Sequence, residues 1–273
     1  MGEVADKAQH AGQQAHHSEW LDHAIRAGLV AYGIVHLMVA WLAVQLALGD
    51  KSENASNSGA LHALAEQPMG GVLIWMIAVG MILLVVWRLL EFAMGYQDET
   101  DDAKRWRKRA GSLGKAILYG VLAWSAIKVA VGEGSKGGTD STTSKLMQLP
   151  GGQLIVGAVG LAIIAYGGLL VYRGWSEKFT EHLDAQGQSG KDGSAYVMFG
   201  KVGYIAKGIA IAIVGGLFGY AAITHDAKES GGLDQALQTV LAQPFGQVLL
   251  IAIAIGIACY GLFCFARAKH LSR

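Results

Sequence analysis

The sequence predicts an all-α membrane protein, with six transmembrane helices forming three parallel helical-hairpin repeats around a pseudo-threefold axis. Three observations predict it. Long stretches lack Asp, Glu, Lys and Arg altogether, and 52% of the 273 residues are hydrophobic against 16% charged. The chain has 3 prolines, Pro68, Pro150 and Pro244, each at the start of an even-numbered apolar stretch. A globular chain of this length carries roughly 14 at ~5% usage. Finally, Lys and Arg gather on alternate connections, as the positive-inside bias requires.

The spans follow in order. Ala27–Gly49, Gln67–Trp87, Leu146–Tyr172, Gly208–His225 and Gln235–Ala266 are free of ionised side chains other than histidine. A spanning helix needs about 20 such residues at ~1.5 Å rise each. Gly111–Gly132 is interrupted by Lys115 and Lys128, which lie near its ends, where a lysine can snorkel to the headgroups. The expected spans are 25–48, 70–95, 111–132, 151–174, 202–224 and 245–267. Apolar residues run all round these helices rather than in stripes, which argues against a soluble bundle.

The expected organisation is a polar tail over 1–23, repeats over 24–98 and 99–176, a linker over 177–200 and a third repeat over 201–270. No cleavable signal is expected, because the first 23 residues are polar. Seventeen of the 22 Lys and Arg fall on the side holding the tail, the 96–110 and 176–199 connections and the C-terminus. Both termini are therefore expected in the cytoplasm. A net charge of +1 gives no field for nucleic acid. Cys259 and Cys264, five residues apart on different faces of the last span, are expected to stay unpaired.

The repeats are visible residue by residue. Gln67-Pro68-Met69-Gly70-Gly71 matches Gln243-Pro244-Phe245-Gly246-Gln247, with Leu149-Pro150-Gly151-Gly152-Gln153 between them. Proline is expected in the first turn of each helix, where its missing N–H costs little. Residues 26–49 align with 109–132 without gaps, and Lys201, Gly203 and Gly208 meet Arg26, Gly28 and Gly33. Tyr166-Gly167 meets Tyr260-Gly261, and Arg173 meets Arg267. Before two of the prolines, residues 58–65 and 234–241 read as a short amphipathic helix, with Ser58 or Asp234 placed to cap it. A two-helix unit returns to its starting side, so the repeats are parallel and not inverted.

An Arg/Lys-x-Gly entering one helix, then a polar loop, a helix reading Ala60-Leu61-His62-Ala63-Leu64-Ala65-Glu66-Gln67-Pro68, and a second helix ending in Arg resembles the DUF1206 family. The likeness covers residues 24–270 and is weakest in the middle copy, where Leu149 replaces the Gln. It implies a bacterial integral membrane protein of repeated helix pairs, with no activity, cofactor or site residue to carry over.

The candidate functional residues are few. His36 stands about ten residues from either end of its span, and its repeat equivalents are Tyr119 and Ile211. At that depth an ionisable group is a candidate proton relay or ligand; otherwise it is a neutral imidazole bonded to Ser125, Tyr119 or a backbone carbonyl. Tyr32, Lys115 and Lys207 share one repeat position. They form either a threefold site for an anionic headgroup or solute, or a set of snorkelling anchors. Arg88 and Glu91, three apart, can pair, and Glu91 aligns with Arg173 and Arg267, so a charge network or a gate is expected there.

Gly215-x-x-x-Gly219 signals close helix packing, within the bundle or in a dimer. Trp41, Trp75 and Trp124 are expected in the outer aromatic belt, and Trp87, Trp106 and Trp175 in the inner one. His10, His16, His17 and His23 fit no metal-site spacing. No P-loop, HExxH, GxSxG or dinucleotide fingerprint is present. No metal, cofactor or enzymatic activity is therefore expected. The expected role is a structural or accessory component packed with lipids or other membrane proteins, possible homo-oligomers included. The alternative is a small transporter or channel for a small solute or ion along the pseudo-threefold axis, lined by His36, Tyr119, Lys115 and Lys207.

Overall fold

A computed structural model describes residues 19–49, 55–66, 70–96, 101–132, 143–144, 146–148 and 150–271. Six of its helices are long and apolar enough to cross a membrane. They are α1 (Glu19–Ala47), α3 (Gly70–Met94), α4 (Asp102–Ala130), α5 (Gly152–Trp175), α7 (Gly190–Thr224) and α9 (Gly246–Lys269). Shorter helices lie between them: α2 (Asn57–Ala65), α6 (Ala185–Gln188) and α8 (Leu233–Leu241). The shortest spans, α5 and α9 at 24 residues, reach about 36 Å, enough for the ~30 Å hydrocarbon layer.

Two connections expected as polar loops are partly helical. α4 starts at Asp102 and α7 at Gly190, well before their apolar stretches. Hydrophobicity marks only the part of a helix that meets lipid; lysine, arginine and glutamate sustain helix equally well in water. Asp101 caps α4 by accepting from the N–H of Ala103 (2.9 Å) and of Lys104 (3.2 Å). An Arg105–Asp102 ion pair supports its first turn.

The prolines stand one step further out than expected. Pro150 and Pro244 precede a left-handed residue, Gly151 (φ 74°) or Phe245 (φ 61°), and the helix starts only at Gly152 or Gly246. Pro68 lies outside the described residues, but α3 starts at the equivalent Gly70. These helix-starting glycines explain the register. A Cβ on Gly70, Gly152 or Gly246 would overlap the carbonyl oxygen of Leu64, Leu146 or Leu241, at the end of the preceding short segment. Each repeat therefore seats that segment on a residue that has no side chain.

The helices α2 and α8 are equivalent plugs. Ala60, Leu61 and Leu64 of α2 are buried, as are Ala236, Leu237 and Val240 of α8. Their caps differ from expectation: Ser56, whose Oγ accepts from Gly59 N–H at 3.1 Å, caps α2, and Gly232 precedes α8. Both helices begin earlier than their apolar pattern suggests, which leaves Asp234 in the first turn to face the helix dipole.

Packing follows the repeat in a cyclic way. The second span of one repeat packs against the first span of the next: α3 on α4, α5 on α7, and α9 on α1. Within repeats, α1 meets α3 and α7 meets α9. The spans α4 and α5 form no comparable pair, so the six helices make a C-shaped ring with a seam between them. The ends of the described chain meet on one side, where Arg26 donates to the Lys269 carbonyl at 3.1 Å.

Candidate functional site

At the centre of the ring α1 and α7 bring three polar side chains into contact. Lys207 Nζ lies 2.6 Å from the Tyr32 hydroxyl and 3.0 Å from His36 Nε2. His36 Nδ1 lies 2.8 Å from the Tyr32 carbonyl oxygen. A carbonyl only accepts, so Nδ1 carries the ring proton and Nε2 turns its lone pair to the lysine. The partners thus assign the tautomer. Nζ also sits 3.9 Å above the Tyr260 ring and 4.7 Å from the Tyr32 ring. Tyr32, His36, Tyr119 and Tyr260 are all buried, and Lys207 is half-buried. Among the described residues no carboxylate pairs with Lys207.

These contacts revise two expectations. Lys207 does not snorkel, since its Nζ turns inward to His36, one turn deeper on α1. Tyr32, Lys115 and Lys207 do not form a threefold cluster either: Tyr32 and Lys207 touch, while Lys115 lies elsewhere. The bundle closes around the first and third repeats, and α4, which carries Lys115, borders the seam. Tyr119 packs edge-on against Tyr32 at 5.3 Å, so two of the three residues at the His36 position reach the centre.

A second cluster lies at the end of the bundle where the chain termini meet. Arg88 NH1 donates to Glu91 Oε2 at 2.5 Å, and Ser112 Oγ donates to the same oxygen at 2.9 Å. Tyr96, in a left-handed turn (φ 62°), returns its hydroxyl to Ser112 at 3.0 Å. The Arg88 guanidinium lies 3.9 Å over Trp87, which is buried rather than in the inner belt. Arg88 and Arg267 are buried, and each keeps a buried Nε with no hydrogen-bond partner among the described residues.

Three tandem segments, residues 27–94, 110–177 and 202–270, match the family described as "Domain of Unknown Function (DUF1206)". The chain belongs to the DUF1206 family. It is also 26% identical over 252 residues to "Uncharacterized protein YxxB" of Bacillus subtilis (strain 168), an alignment covering 92% of this chain and 91% of that one. No solved structure matches it. This DUF1206 chain is thus a multi-pass membrane protein of tandem helix pairs.

The DUF1206 repeat accounts for how both clusters arise. Two of the three equivalent positions, Tyr32 and Lys207, meet, and Glu91 is the repeat equivalent of Arg173 and Arg267. Tyr260, Tyr204 and Tyr166 were not singled out as site residues, although the Tyr166/Tyr260 match was visible. Tyr260 is 4.9 Å from the His36 ring, and Tyr204 is 5.2 Å from Tyr260. Gly215 faces the α5 backbone inside the chain, and Gly160 seats against Gly215 O and Gly219 N, while the position of a Cβ on Gly219 is open space. Cys259 and Cys264 are both free thiols. His10, His16 and His17 lie outside the described residues, and no group of three potential metal ligands occurs among the described ones.

Proposed function

We propose that the chain is a small, non-enzymatic transporter or channel of the bacterial cytoplasmic membrane, with both termini in the cytoplasm. The path follows the pseudo-threefold axis, and its ion is a small anion. The observation that carries this reading is the Lys207 side chain, whose Nζ is held at the centre by His36, Tyr32 and the Tyr260 face with no carboxylate beside it among the described residues. Burying an unpaired cation costs several kcal/mol even after relaxation. A bundle that only packs against its neighbours gains nothing from that cost, so the accessory role is the weaker reading. Arg173 and Arg267 stand two residues from the ends of α5 and α9, at the repeat position that Glu91 holds on α3, and carry positive charge at that end. The Lys/Arg bias supports assigning that end to the cytoplasm.

The test is ion entry into vesicles of phosphatidylcholine and phosphatidylglycerol carrying the full chain. The reading expects iodide entry faster than in protein-free vesicles, without a matching entry of rubidium. Rubidium entry without iodide entry contradicts it.

A further inference from the structure

We infer that anion movement is coupled to protons: His36 Nε2 takes up one proton with each anion that reaches Lys207 and releases it when the anion leaves. The inference rests on the anion path proposed above and assigns its driving force.

The direction of the hydrogen bonds carries it. His36 Nδ1 is committed as a donor to the Tyr32 carbonyl oxygen at 2.8 Å, so the remaining position on the ring is the Nε2 lone pair. That lone pair faces Lys207 Nζ at 3.0 Å, and Nζ also donates to the Tyr32 hydroxyl at 2.6 Å. Within the chain the two nitrogens satisfy each other, the lysine giving and the histidine accepting. An anion only accepts. One drawn to Nζ takes over an N–H, and the buried Nε2 lone pair then faces a second acceptor with no donor of its own, which is costly. A proton on Nε2 reverses this, because the ring becomes a donor at both nitrogens and bonds the anion.

The converse also holds. Without an anion between them, a protonated ring and a protonated lysine place like charges 3.0 Å apart inside the bundle. Proton and anion therefore favour each other's binding, and such coupling is reciprocal. The neighbouring side chains offer no substitute for the anion. The His36 ring lies 4.2 Å from the Tyr32 ring of α1 and 4.9 Å from the Tyr260 ring of α9. Tyr119 of α4 and Tyr204 of α7 stand behind those rings, 5.3 Å from Tyr32 and 5.2 Å from Tyr260. None of them is a carboxylate that balances a second positive charge. The proton comes from the water that supplies the anion and leaves to the water that receives it. The Nε2–H bond forms on loading and breaks on release, so each cycle moves no net charge.

The experiment uses vesicles carrying the full chain, with potassium and valinomycin fixing the voltage and protein-free vesicles as the blank. At zero voltage a gradient of ~1 pH unit, acid outside, is expected to accumulate iodide about tenfold inside, with one proton taken up per iodide. An interior-positive voltage at equal pH is expected to accumulate none. His36→Gln offers an amide N–H to the anion without taking a proton. Iodide entry is expected to persist in that variant, with accumulation that follows voltage and not pH. In the parent, accumulation that follows voltage and not pH overturns the coupling and leaves the path standing, a result that does not depend on the variant. No iodide entry in the parent removes the path itself. Accumulation driven by pH that persists in His36→Gln overturns the assignment of the proton to His36.

Discussion

Lys207 Nζ lies 3.0 Å from His36 Nε2 across the α1–α7 contact, so a lysine and a histidine share one hydrogen bond in the interior of the bundle. Replacing Lys207 by Met keeps the length of the side chain and removes its charge. It relieves the desolvation of the ammonium but leaves Nε2 and the Tyr32 hydroxyl without their donor. These effects oppose each other, and Lys207→Met is expected to change stability by no more than about 1 kcal/mol. Melting in detergent checks this. A loss above about 3 kcal/mol makes the lysine a structural element.

The Arg88–Glu91 pair behaves in the opposite way, because each partner compensates the other where both are largely buried. Glu91→Gln leaves a buried guanidinium without its carboxylate and is expected to cost about 3–5 kcal/mol. Arg88→Met combined with Glu91→Gln is expected to recover most of it. A double-mutant cycle in detergent measures the coupling, and purely additive effects count against the pair.

The two glycines of the GxxxG motif differ in their surroundings. A Cβ on Gly215 would lie 2.7 Å from the Gly160 carbonyl oxygen and 2.7 Å from Ile164 N, while one on Gly219 meets nothing within 4 Å. Gly215→Ala should lower the melting temperature and Gly219→Ala should not. Equal effects would mean that α5 and α7 approach each other in some other way.

Asp184 ties the α5–α7 connection to the end of α9. Its carboxylate accepts from the Gly187 N–H at 2.6 Å and lies 3.1 Å from His270 Nδ1. The Gly187 N–H, with His270 beside it, holds the carboxyl below its ordinary value. A group with a lowered pKa stabilises the fold above its unfolded pKa, about 3.9, and loses that contribution as pH falls through the lowered value. Melting curves of the parent and of Asp184→Asn are therefore expected to differ near neutral pH and to converge below about pH 4. A constant gap across the range contradicts the assignment.

The spans were legible because hydrophobicity is summed over some twenty residues, so no single side chain decides them. The repeat was legible through Pro150, Pro244 and the glycines after them, where a backbone contact tolerates no Cβ. What a helical pattern does not encode is which face meets which neighbour. Lys115 and Lys207 occupy the same repeat position, yet it is Lys207 that reaches Tyr32 and His36. The difference comes from the seam, a tertiary feature absent from any single repeat. Trp87 was misplaced for a similar reason: an aromatic near a helix end suits the interface, but Arg88 next to it draws the ring inward as a cation–π partner.

The central claim is that Lys207 lies on an anion path, and initial iodide entry into vesicles carrying parent or Lys207→Met protein tests it most directly. With equal incorporation and matched melting temperatures, entry is predicted to fall on the order of tenfold or more in the variant, a barrier change of about 1.4 kcal/mol. Iodide entry at the parental rate in Lys207→Met would contradict the claim.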